Sequence, residues 1–119
     1  MSDPLPVDAS PADALVVLMT APDAETAARV GRTLVEERLA ACVNLVPGVR
    51  SIYQWQGAVQ DEGEVLCLIK TRRALYPALR DRLAGGLHPY QVPEILGLTP
   101  AEGNAPYLRW IFESTRAPG

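Results

Sequence analysis

Residues 41–56 read ACVNLVPGVRSIYQWQ and residues 64–71 read EVLCLIKT. The first run is broken by Pro47 and Gly48 and is too long and interrupted for a helix, because a proline inside a helix loses a donor and clashes with the preceding turn. It reads as a strand carrying a bulge or bend at Pro-Gly. Beyond the bend, Ser51, Tyr53 and Trp55 share one face, and Arg50, Ile52, Gln54 and Gln56 the other. A turn around Gly57 leads back through an acidic turn, QDEGE at residues 60–64, into the second run. That run is apolar on both faces, through Val65, Cys67 and Ile69 on one and Leu66 and Leu68 on the other. Together the two runs predict a long β-hairpin, longer than a lone small domain usually needs.

The flanking segments complete the pattern. Residues 14–21 (ALVVLMTA) are continuously apolar and rich in β-branched side chains, as in a strand covered on both faces. Asp23 is placed to cap a helix whose apolar positions Ala24, Ala28, Gly31, Val35 and Leu39, beside Ala27, Val30 and Leu34, fall on one broad face. Leu75, Leu79 and Leu83 mark a short second helix with Pro77 in its first turn and Gly85-Gly86 as its stop. His88 and Val92 each precede a proline and are expected to be extended, and residues 94–98 (EILGL) read as a last strand. Asn104 is expected to cap a final helix with Pro106 in its first turn, with Tyr107, Leu108, Ile111 and Phe112 on one face and Trp110 directed elsewhere.

The order β-α-β-β-α-β plus a C-terminal helix predicts an α+β fold, a ferredoxin-like βαββαβ antiparallel sheet with two helices on one face. Strands apolar on both faces need cover on the second side as well. Self-association supplies it, with Trp55 and Trp110 as candidate anchors, since large aromatics are enriched at interfaces. Residues 1–13 are expected to be a disordered tail and residues 14–116 one domain.

Composition excludes several classes. In 119 residues, hydrophobic side chains make up 48% and charged ones 21%, the balance of an ordinary globular domain. Net charge is −3, with the eleven Lys and Arg scattered, so no basic stripe for nucleic acid is present. No apolar run approaches the roughly 20 residues that cross a bilayer, and the N-terminal segment lacks a basic signal-peptide start. A cytoplasmic location is expected. Cys42 and Cys67 lie within apolar runs and are expected to be structural thiols rather than a disulfide. GxGxxG, Walker, GxSxG, HExxH and CxxC motifs are all absent. One histidine without a well-placed serine or reactive cysteine assembles no nucleophile, base and orienter, so a non-enzyme is expected.

That histidine lies in GGLHPYQVPEILGL, residues 85–98. Imidazole is the commonest metal ligand and titrates near neutrality, so His88 reads as a metal ligand or acid/base group, or as a loop histidine whose ring bonds fix the chain between prolines. Glu94 reads as a partner for His88 or, preferably, as half of an ion pair with Lys70 or an arginine across a subunit boundary. Tyr53, Trp55, Tyr90, Tyr107 and Trp110 read as the walls of an intersubunit small-molecule cleft or as interface packing. Asp61, Glu62 and Glu64 read as a solvated loop end.

Four blocks, LAACVNLVPGVRSIYQWQG (39–57), EVLCLIKT (64–71), HPYQVPEI (88–95) and YLRWI (107–111), occur in the order and with the separations of the CutA family, the divalent-cation tolerance proteins, which the chain resembles from about residue 15 to 114. The resemblance implies a ferredoxin-like subunit in a tight homotrimer, similar in assembly to the PII signalling proteins, with long hairpins extending the sheets between subunits. It implies a role in tolerance to copper and other divalent cations, with no tightly bound cofactor expected. It also implies copper ligands at the end of the first strand and at the start of HPY, which here are Met19 and His88. A thioether and an imidazole suit Cu(I), whereas Cu(II) prefers nitrogen and oxygen donors. The other outcome it leaves open is a PII-like scaffold or signalling trimer that takes a small ligand or protein partner at the cleft, with metal binding incidental.

Overall fold

The computed structural model describes residues 10–118. The hairpin is built from β2, Cys42–Trp55, and β3, Ala58–Arg72. They pair antiparallel from Cys42 opposite Lys70 to Trp55 opposite Ala58. Only Gln56 and Gly57 lie between them, at φ 51° and 80°. Two successive left-handed residues give a type I′ turn, whose twist matches that of the strands it joins.

The bulge falls where the sequence places it. Val46 faces Leu66 and Val49 faces Glu64, three steps on β2 against two on β3. Gly48 takes the positive φ, 79°, that this bend requires. The extra residue decides which way the end of β2 faces. Cys42, Asn44 and Val46 pair with Lys70, Leu68 and Leu66; past the bulge Val49, Ser51, Tyr53 and Trp55 pair with Glu64, Glu62, Gln60 and Ala58. Cross-strand partners share a face and side chains alternate, so all of these lie on one side of the sheet. Residues 60–64 correct the expected acidic turn: they are regular β3, paired along β2, because the two-residue turn at Gln56-Gly57 already reverses the chain.

Strand β1, Ala14–Ala21, lies between β3 and β4, Leu96–Leu98, giving a four-stranded antiparallel sheet in the order β2-β3-β1-β4. Strand β4 is shorter than the expected residues 94–98. The Ile95 carbonyl is taken by the Tyr76 hydroxyl at 2.6 Å, which turns the chain out of the ladder.

Helix α1, Ala24–Glu36, starts where Asp23 accepts a 2.7 Å bond from the Thr26 amide. Helix α2, Tyr76–Arg82, has Pro77 in its first turn and runs into a wider turn, Leu83–Leu87, ended by Gly86 at φ 120°. Helix α3, Ala105–Ser114, follows Asn104, whose side chain forms no cap bond; Pro106, preset for the first turn, stands at its start. Its buried residues are Leu108, Ile111 and Phe112, while Tyr107 is exposed, a correction to its expected place beside them.

One side of the sheet carries Leu15, Val17, Met19 and Ala21 of β1 and Val65, Cys67 and Ile69 of β3, buried against Ala27, Val30 and Leu34 of α1, Leu79 of α2 and Leu83 of the turn after it; Ala24, Ala28 and Val35 are exposed, a correction to their expected place on the apolar face of α1. The second side is left largely open. Val16, Leu18 and Thr20 are half-buried there, and Val46, Tyr53, Trp55, Leu96 and Leu98 are exposed. Helix α3 is tied to one end of β3 through Arg72, which donates to the Phe112 and Thr115 carbonyls at 3.0 and 2.9 Å.

The expected tail at residues 1–13 falls mostly on residues 1–9, outside the described residues. Pro11–Asp13 instead form a 3-10 turn, closed by Ser10 Oγ accepting from the Ala12 amide and by Arg73 donating to the Ala12 carbonyl at 2.9 Å.

Candidate functional site

The loop between α2 and β4 passes over the second side of the sheet and, with the outer hairpin, encloses a cleft of about 730 Å³. Its walls include Thr20 of β1, Ser51, Tyr53 and Trp55 of β2, Glu64 of β3, and Tyr90, Val92 and Glu94 of the loop. The bulge at Pro47-Gly48 is what brings the two β2 aromatics to this side.

His88 fastens the loop to the sheet. Its backbone is extended, φ −84° and ψ 137°, as Pro89 demands, and its side chain is buried. Nε2 lies 2.8 Å from the Thr20 carbonyl oxygen, and Nδ1 accepts from the Tyr90 amide at 3.1 Å. A carbonyl only accepts and a backbone N–H only donates, so this is the neutral ring with its proton on Nε2. Pairing between β1 and β4 stops at Leu18, and His88 holds the Thr20 carbonyl two residues further along. The imidazole also packs on the Tyr90 ring, with centroids 4.7 Å apart at 60°.

Two tyrosine–carboxylate bonds continue the network. Tyr90 Oη donates to Glu64 Oε2 at 2.6 Å, and Tyr53 Oη donates to Glu62 Oε2 at 3.0 Å. Desolvation, then the bond to Glu64, pushes the Tyr90 hydroxyl well above the usual phenol range. Tyr53 is raised by the same kinds of cause, with Glu62 as its partner. Both phenols therefore keep their protons and remain donors to the carboxylates. Glu64 is buried, yet only Oε2 is hydrogen-bonded among the described residues, so Oε1 is left to the cleft.

The remaining candidates separate. Glu94 is exposed on the cleft wall with no hydrogen bond or ion pair among the described residues, so within one chain it pairs with neither His88 nor Lys70. Lys70 donates to Asn44 Oδ1, roughly 20 Å along β3 from Glu64 at about 3.3 Å per residue. Tyr107 and Trp110 stack on each other, centroids 5.6 Å apart, and line no part of the cleft. Met19 is fully buried in the apolar core, on the opposite side of β1 from Thr20. Its thioether faces the helices rather than the loop. Among the described residues no group of three or more His, Cys, Asp or Glu is placed to hold a metal ion. Within one chain the donors do not fit a preformed metal centre: the imidazole has both nitrogens engaged, and the thioether is sealed in the core.

Glu62 and Glu64 are the site residues that sequence reading set aside as loop. A signal for them exists in the alternation of β3, which puts both on the face of Leu66 and Leu68. The Thr20 carbonyl left no signal, since any residue has one.

A family model described as CutA1 divalent ion tolerance protein matches residues 15–114. A divalent-cation tolerance protein CutA of Thermus thermophilus is 54% identical over 100 residues, covering 84% of this chain and 96% of that protein. Protein CutA of Homo sapiens is 42% identical over 107 residues, covering 90% of this chain, which spans 59% of the human protein's length. Among solved structures, the Thermus thermophilus protein superposes with TM-score 0.82 at 53% identity, covering 86% and 98% of the two chains. CutA1 from Oryza sativa superposes with TM-score 0.83 at 43% identity, covering 87% and 94%.

Proposed function

The chain belongs to the CutA1 divalent ion tolerance family, and on that premise we propose that it is a homotrimeric, cytoplasmic, ferredoxin-like protein that contributes to tolerance of divalent cations, copper among them. It binds these ions weakly, holds no tight cofactor and catalyses no reaction. The strand order β2-β3-β1-β4, with α1 and α2 packed on one side, supports the ferredoxin-like arrangement. The uncovered apolar side of the sheet supports the trimer, since a contiguous exposed apolar surface marks an interaction site. Among the described residues no helix is long and apolar enough to cross a membrane.

The observation that carries weak binding is the double engagement of His88. A metal ion must displace the Tyr90 amide from Nδ1 or the Thr20 carbonyl from Nε2. Stranding either group costs about 1–3 kcal/mol, which lowers affinity by a factor of about 5 to 150 relative to a free imidazole. Copper(II) and zinc titrations of wild type and His88→Ala by calorimetry test this. Weak binding, copper above zinc, and a further loss in His88→Ala are expected; identical affinities in the two proteins would remove His88 from the account.

A second reading is a PII-like scaffold or signalling trimer that takes a small ligand at the cleft, with metal binding incidental. The cleft itself favours it, because its volume lies within the range of small-molecule sites and its walls set three aromatic rings, Tyr53, Trp55 and Tyr90, beside a few polar groups.

A further inference from the structure

We draw no further inference here: the strongest candidate, the largely apolar groove between α1 and the edge strand β2, lined by Gly31, Val35, Val43 and Leu45 together with Arg32 and Glu36, carries nothing because nothing in the structure shows what covers it.

Discussion

Replacing His88 with alanine tests whether this side chain is a structural fastener. The substitution strands two backbone groups, the Thr20 carbonyl at 2.8 Å and the Tyr90 amide at 3.1 Å. An unsatisfied buried group costs about 1–3 kcal/mol. Tyr90 is half-buried, so water reaches its amide and the lower end applies there. The sum, with the packing lost against the Tyr90 ring, is roughly 3 kcal/mol. With a urea slope of about 1–3 kcal/mol/M, the unfolding midpoint falls by roughly 1–3 M. Urea unfolding followed by circular dichroism at one fixed protein concentration measures it, since self-association adds concentration-dependent stability. Two further variants make the experiment specific. In His88→Gln the amide nitrogen reproduces Nε2 and its bond to Thr20; in His88→Asn the amide oxygen reproduces Nδ1 and its bond to Tyr90. Each is expected to recover about 1 kcal/mol relative to alanine. An alanine variant within about 0.5 kcal/mol of wild type, or glutamine and asparagine variants no better than alanine, refutes the reasoning.

Three other outcomes follow from the same structure. Tyr90→Phe removes the 2.6 Å bond to buried Glu64 and is expected to cost about 1–3 kcal/mol in urea unfolding, whereas Tyr53→Phe, whose partner Glu62 is exposed, is expected to cost less. Burial pushes the Cys67 thiol up to about 11, and Cys42 is only half-buried, so a thiol reagent at mildly alkaline pH is expected to label Cys42 in the native protein and Cys67 only after unfolding; mass-mapping both sites equally labelled would contradict this. Hydrogen bonds from the Thr26 amide and then from the Thr26 side chain hold the Asp23 carboxyl below its ordinary value. Its contribution to stability is present above the unfolded-state value near 3.8 and is lost as pH falls through the lower folded value. Asp23→Asn, which keeps a capping oxygen, is therefore expected to flatten the acid limb of a stability–pH profile, and an unchanged limb counts against the cap.

Much of the fold was legible because the signals are local. Residues 14–21, the bulge at Pro47-Gly48, the cap at Asp23 and the stop at Gly86 each follow from residue type and periodicity within a few positions. The misreadings have physical causes too. At Glu62 and Glu64 the acidic composition predicts a loop, whereas the alternation of β3 continues through them. Asn104 has the right residue type for a cap, but its side chain does not form one. Tyr107 fits the apolar face of α3 by spacing, yet it lies outside and stacks on Trp110.

By itself, then, the sequence determined the order of elements, the long hairpin, the two-sided apolar strands and the family. All of these rest on patterns that repeat within a strand or a helical turn, or on motifs read directly. Only the tertiary structure decided what the residues at the site do. His88 and its partner Thr20 stand 68 positions apart, and Tyr90 and Glu64 stand 26 apart. Their meeting depends on the β1–β3 register, on the extra residue at the bulge and on the path of one loop. A histidine that reads as a ligand in a line of text is held at both nitrogens once the chain folds, because its nearest hydrogen-bonding groups are then backbone atoms that no side-chain pattern records.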